Sequence, residues 1–211
     1  MKLRLFVLVL LIWGGASTVY ADVPNSSVST VIDLDQKFRS SVSPWALRTL
    51  LRNSEDGNAN IYTSSYLAAA PAPKGGKQWA CLAEALYFEA RGEEIKGQFA
   101  VAEVILNRVD SSSFPSSPCG VVHQGTGRRF ACQFTYDCDG RAEIITDQKA
   151  YIQVGKVAQL MIEGAPRGLT KGAMYYHTKS VNPKWARSFS RTVTIGSHHF
   201  YVPSQKIAKN N

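Results

Sequence analysis

The stretch from Trp79 to Arg108 constrains this chain most, because it holds two segments of helical period separated by one polar turn. In the first segment Leu82, Ala85, Leu86 and Glu89 recur at helical spacing, so a carboxylate continues a stripe that is otherwise apolar. Arg91-Gly92 follows at once, and a left-handed cap at the glycine is expected to end the helix there, leaving Glu89 in its last turn. Burial and the negative end of the helix dipole both disfavour a charged carboxylate, so Glu89 is expected to hold its proton toward neutral pH and to serve as a proton donor. The competing reading is a solvated glutamate neutralised by Arg91 or Arg108. Glu84, Glu93, Glu94 and Glu103 read as residues of an exposed face or of the loop after the helix.

The second segment is expected to open after Lys96-Gly97-Gln98. It places Val101, Val104, Ile105 and Arg108 on one side, with Ala100 and Ala102 small enough to admit a neighbouring helix. Two such helices joined by a short turn form a hairpin whose connection lies at the rim of whatever groove the rest of the chain builds.

Upstream, residues 1–21 have the form of a secretory signal. Lys2 and Arg4 precede an apolar run from Leu5 to Trp13, and Val19-Tyr20-Ala21 resembles a cleavage site. That run is short for a membrane span, so no stable span is expected after cleavage, and the protein is expected to be exported to a periplasm or a cell wall. Of 24 basic residues, 22 then remain against 16 acidic ones. A moderately basic exported chain suits an anionic polymer. No Lys/Arg stripe interleaved with aromatics supports nucleic acid as a partner. Residues 22–77 carry Ser, Asn, Ala-Pro and Gly tracts and read as a flexible segment and linker, with one short helix expected over residues 43–52.

The folded domain is expected over residues 78–202, with a tail at 203–211. Cys81, Cys119, Cys132 and Cys138 form an even set in an exported chain. They are read as disulfides that pin the loop region from Pro118 to Gly140 to itself and to the first helix, with the pairing open. Neither a metal nor another cofactor is expected, since no C-x-x-C or paired histidine spacing occurs. Asp147 caps a third helix over residues 148–163. A short strand follows at residues 173–177, and residues 191–195 and 198–202 flank Gly196-Ser197 as a hairpin. Helices followed by a small antiparallel sheet make an α+β domain. Phe134 and Trp185 are candidates for a platform on which sugar rings stack. Among the histidines, His177 stands out at a strand end.

Leu82-Ala-Glu-Ala-Leu-Tyr-Phe-Glu-Ala-Arg-Gly-Glu93 and Gly97-Gln-Phe-Ala-Val-Ala-Glu-Val-Ile-Leu-Asn-Arg108 together resemble the catalytic domain of the spore cortex-lytic type of cell wall hydrolase. Cys132-Gln-Phe-Thr135 and Tyr175-Tyr-His-Thr, with Pro183-Lys-Trp185, are similar to later blocks of that family. The resemblance runs from about Trp79 to Tyr201. It implies a lysozyme-related helical core with a small antiparallel sheet, acting on peptidoglycan glycan strands between N-acetylmuramic acid and N-acetylglucosamine. It also implies Glu89 as the catalytic acid, and Gln133, Phe134, Tyr175 and His177 as cleft residues. No wall-binding repeat precedes the domain, which favours general wall remodelling over a spore role; an activating protein partner is not legible. A two-carboxylate hydrolysis would need a second acid, for which Asp137, Asp139 and Glu143 are candidates without distinction. One carboxylate suffices for a lytic transglycosylase, the preferred reading. A non-catalytic wall-binding module is the remaining alternative.

Overall fold

The computed structural model describes residues 25–41, 60–128 and 131–204. The proposed signal at 1–21 and the helix expected over residues 43–52 lie outside them. The chain divides into two units, Met1–Ser41 and Val42–Asn211. In the first, α1 spans Asn25–Ser41, with Val31, Ile32 and Leu34 exposed. Among the described residues no helix is long and apolar enough to cross a membrane.

The second unit begins with α2 (Ser64–Ala69), whose Thr63 side chain accepts from the Tyr66 backbone amide as an N-cap. Then come α3 (Lys77–Ala90), α4 (Ile95–Val109), α5 (Pro118–Val122) and α6 (Gln148–Ile162). Helix α4 is the central one, buried almost all round its circumference from Gly97 to Leu106. Against it pack Leu82 and Leu86 of α3, Val121 and Val122 of α5, and Val154 and Val157 of α6, every one of them without exposed surface. Truncating any of these leucines to alanine should cost about 2–5 kcal/mol. Helices α3 and α6 come together where the Trp79 indole donates to the Gly155 carbonyl at 2.8 Å. A Cβ at Gly155 would meet that ring at 3.0 Å, so a larger residue would push the two helices apart.

Residues 60–76, expected as linker, belong to this core. Ile61, Leu67 and Ala70 are buried, Tyr62 meets Phe99 edge-on with centroids 5.1 Å apart, and Lys156 donates to the Leu67 carbonyl at 2.8 Å. A few apolar anchors within a Ser/Ala/Pro-rich composition suffice to dock the segment. Helix α3 also differs from expectation at its end: Arg91 stays right-handed, and Gly92 is absent from the residues of positive φ. Helix α4 begins at Ile95 and includes Gly97, where a Cβ would meet the Glu93 side chain at 2.9 Å. That glycine serves close approach and does not break the helix.

The sheet has the order β1-β3-β2, all antiparallel, from Tyr175–Thr178, His198–Pro203 and Phe189–Ile195 respectively. Gly196, at φ +55°, makes the β2–β3 turn, and the Glu93 carboxylate lies so close that a Cβ could not be placed there. Tyr176 pairs with Phe200 and His177 with His199. Since successive residues of a strand face opposite ways, Tyr176 and Phe200 turn to one side of the sheet while Tyr175, His177 and Tyr201 turn to the other. The observed fold is thus the α+β arrangement expected, a helical core with a small antiparallel sheet and two disulfides.

Candidate active site

Helix α3 delivers Glu89 at its C-terminal turn, where the apolar stripe that begins at Leu82 carries it inward. Its carboxyl is largely buried, and burial is the main cause that lifts its pKa above the ordinary carboxylate value. Two groups oppose that rise. The Tyr176 hydroxyl, on the sheet face turned to the helices, donates to Oε2 at 3.0 Å, and the nearby Arg108 charge favours the ionised form. Among the described residues no group hydrogen-bonds Oε1, so one oxygen is held and the other is left to exchange a proton.

Of the two arginines in reach by sequence, Arg91 turns away. Its Nη1 donates to the Tyr87 carbonyl at 3.0 Å and its guanidinium lies 4.6 Å from the centre of the Tyr87 ring. Arg108 is 2% exposed. Its Nε donates to the Met174 carbonyl at 2.7 Å, just ahead of β1, and the rings of Phe114, Phe134 and Tyr175 surround it at 5.5, 5.6 and 5.7 Å. With its carboxamide oxygen turned toward the guanidinium, Gln133 accepts from Nη1 and Nη2 at 3.2 Å. The last turn of α4, the loop at residues 133–134 and the start of β1 are therefore tied together by one cation.

The residues singled out by sequence fall into two groups. Gln133, Phe134 and Tyr175 gather on Arg108 beside Glu89. His177 and Trp185 form a second cluster on the sheet face that Tyr175 also occupies, where His177 Nε2 is 2.9 Å from the Tyr201 hydroxyl and its ring stacks on that of Tyr201 at 5.2 Å. Trp185 completes this second cluster, 5.8 Å from Tyr175 and 5.4 Å from Phe189. Phe134, expected to offer a sugar platform, is only 3% exposed, so its faces are spent on Arg108 and Tyr136 rather than on a ligand.

Two acids read as residues of an exposed face or of the loop after the helix are held by protein groups instead of by solvent. Glu103 is 1% exposed and accepts from the backbone amides of Gly168, Leu169 and Thr170 at 2.9–3.0 Å and from the Thr170 hydroxyl at 2.6 Å. It organises the loop that leads into β1. Glu93 reaches the β2–β3 turn, accepting from the Ser197 amide at 3.1 Å and from its hydroxyl, with His198 Nδ1 at 3.3 Å. His198 is 3% exposed, and burial holds its pKa below that of free histidine although Glu93 pulls it up. Among the candidate second carboxylates, Asp137 is engaged by His123 Nδ1 at 2.9 Å and by the Thr126 hydroxyl, while Asp139 and Glu143 are exposed.

Cys81 pairs with Cys119 and Cys132 with Cys138. One bridge ties α3 to α5 and the other closes the loop after Gln133 on itself, as the cysteine placement implied. The ring of Tyr136, inside that closed loop, stacks on Phe88 at 4.5 Å, next in sequence to Glu89. Tyr176 is the residue that reading along the chain passed over. Its signal was the period of two in Tyr175-Tyr176-His177, which sets the middle residue against the other two.

Known proteins resemble this chain over the same region. Spore cortex-lytic enzymes of Halalkalibacterium halodurans and Bacillus subtilis are 32% identical over 149 residues and 34% identical over 122 residues. These alignments cover 70% and 56% of this chain but 41% and 35% of those proteins, so the chain spans about two fifths of the length of the curated relatives it matches. The solved catalytic domain of the germination-specific lytic transglycosylase SleB from Bacillus anthracis is 33% identical, with 62% of this chain and 99% of that one covered at a TM-score of 0.47. A cell wall hydrolase family model matches residues 92–201, just over half of the chain, and this protein belongs to that family.

Proposed function

We propose that this protein cleaves the glycan strand of peptidoglycan between N-acetylmuramic acid and N-acetylglucosamine as a lytic transglycosylase, with Glu89 as acid and then base. The observation that carries the reading is the Glu89 carboxyl itself, largely buried at a helix end, raised in pKa and, among the described residues, hydrogen-bonded through one oxygen. A glycosidic oxygen needs a proton as the bond to the anomeric carbon breaks and positive charge develops on the sugar. Glu89, protonated, supplies it, and N-acetylglucosamine leaves with a free 4-hydroxyl. The carboxylate left behind is stabilised by the Tyr176 hydroxyl and the Arg108 charge. It then removes the proton of the muramic acid C6 hydroxyl as that oxygen closes on the anomeric carbon. The product is a 1,6-anhydro end, the glutamate has its proton back, and no water is consumed.

Hydrolysis would require a second carboxylate facing the first across the sugar. No acid is among the groups that move the Glu89 pKa; of the three candidates Asp137 is held by His123 and Thr126, and Asp139 and Glu143 are exposed. This supports the one-carboxylate route. The names of the curated relatives, cortex-lytic enzymes, agree with a glycan substrate. The amino-terminal 21 residues, read as a signal, would take the enzyme out of the cytoplasm to that substrate.

The test is mass spectrometry of fragments released from purified sacculi. Anhydro ends, lighter than reducing ends by one water, are expected, and reducing ends would select hydrolysis instead. Glu89→Gln should abolish release while circular dichroism stays unchanged. Lysis retained in that variant would refute the assigned acid.

A further inference from the structure

We propose that the cavity beside the Cys132–Cys138 bridge is a subsite for the acidic stem peptide that peptidoglycan carries on the lactyl group of muramic acid. The inference rests on the glycan-cleaving reading above and names the part of the substrate that reading leaves unassigned. The cavity measures about 450 Å³ and is lined by Thr126, Gly127, Arg128, Asp137, Arg141 and Glu143, among others. That volume is within the range of small-ligand sites, roughly 300–1,000 Å³.

Its charges select the ligand. Asp137 is already held by His123 and Thr126. Arg128, Arg141 and Glu143 are exposed, and among the described residues none of the three has an ion-pair partner. Two free guanidinium groups and one free carboxylate call for a ligand with two carboxylates and an amine. A stem peptide of alanine, γ-linked glutamate and a diamino acid has that pattern, whereas a simple polyanion would meet Glu143 as a repulsive wall.

Position agrees with charge. The 3₁₀ turn Tyr136–Cys138 links the cavity to the neighbourhood of the acid. Its first residue stacks on Phe88 beside Glu89, and its second and third line the cavity. Burial is the main cause that raises the pKa of the Tyr136 hydroxyl, and Glu84, Asp137, Glu89 and Glu143 add to it, so one phenol feels the charges of both sites. Three residues of extended peptide span about 10 Å, enough to cross a single turn.

The experiment titrates the full chain with the tripeptide N-acetyl-L-alanyl-γ-D-glutamyl-L-lysine, which carries two carboxylates and one amine, followed calorimetrically. In parallel it compares release rates on glycan strands with and without their peptides. Saturable binding is expected, weakened roughly tenfold or more in Arg128→Ala with Arg141→Ala, the scale of a lost charge-assisted hydrogen bond. Glu143→Gln should weaken the tripeptide but not its form acetylated on the side-chain amine. The ratio of rates on peptide-bearing to bare strands should exceed one in the wild type and fall toward one in the double variant. Absence of tripeptide binding, or binding indifferent to both arginines, overturns the subsite. The tripeptide has no glycosidic bond, so peptide binding without any lysis would refute the glycan-cleaving reading alone, and lysis without peptide binding would refute the subsite alone.

Discussion

Replacing Tyr176 by phenylalanine isolates the hydrogen bond that favours the ionised form of Glu89. The ring keeps its neighbours, His198 at 5.2 Å and Phe200 at 6.0 Å, so no cavity opens, and only the 3.0 Å donation to Oε2 is lost. A hydrogen bond to a charged acceptor is worth about 1.5–3 kcal/mol and one to a neutral acceptor about 0.5–1.5 kcal/mol, so the variant penalises the ionised form by about 1–1.5 kcal/mol more than the protonated form. At a fixed pH the ratio of protonated to ionised Glu89 should rise roughly five- to tenfold. The sign is set by which form the phenol favours. Tyr176 lowers the Glu89 pKa against the burial that raises it, so its removal lets the raised value climb further. In the proposed reaction the first step needs the protonated acid, so kcat/KM should fall as pH rises through that pKa, and the variant should carry this alkaline limb to higher pH. Initial rates of muropeptide release from sacculi at subsaturating substrate, taken across pH, measure it. A limb that stays in place or moves to lower pH would show that the limb does not report Glu89, or that Tyr176 does not bear on it.

Other outcomes follow from the same contacts. Glu103→Gln leaves an amide group facing the donors of residues 168–170 and should cost about 3–5 kcal/mol in urea unfolding, two hydrogen bonds to a charged acceptor; a loss below about 1 kcal/mol would show that the loop finds other partners. Removing Cys81–Cys119, with 38 residues of separation, should cost about 4 kcal/mol, against about 2 kcal/mol for Cys132–Cys138 with 6, if chain entropy governs; equal losses would refute that ordering. Burial depresses the His198 pKa, so the unfolded chain takes up the proton first. Stability should therefore decline as pH drops below about 6.5, and His198→Gln should flatten that decline in urea midpoints measured across pH.

Much of this site is legible along the chain because helix α3 has one buried face, and a carboxylate continuing that face stands out against it. Helix α4 offers no such contrast. It is enclosed on nearly all sides, so its apolar residues do not mark a face, and Glu103 and Arg108 read locally as ordinary charges on a core helix. What satisfies them is a loop and a strand start more than sixty positions away, at Thr170 and Met174, which no local spacing reveals. The aromatic residues show the same limit. Composition brings out Phe134, Tyr175 and Trp185 together, yet Phe134 and Tyr175 are taken up by the arginine cage, while Trp185 meets Tyr175, His177 and Tyr201 on the face of β1 opposite Tyr176. The left-handed cap expected at Gly92 fails for a related reason. The turn is held from outside by the Glu93 side chain on the β2–β3 turn, a contact 104 positions distant in sequence.

These distant ties bear directly on the acid. Glu89 comes from α3, its hydrogen-bond donor from β1 and its nearby positive charge from α4, so the proton affinity of the carboxyl depends on how the three elements are registered. Two anchors fix that register: Arg108 holds the strand start through the Met174 carbonyl, and Glu103 holds the loop before it through residues 168–170. Glu93 fixes the opposite end of the sheet at Ser197. Charges buried on helices at this expense are unnecessary for a core that already has Leu82, Phe99 and Val157. Their effect is to keep one phenol 3.0 Å from one carboxyl while burial raises the pKa of that carboxyl.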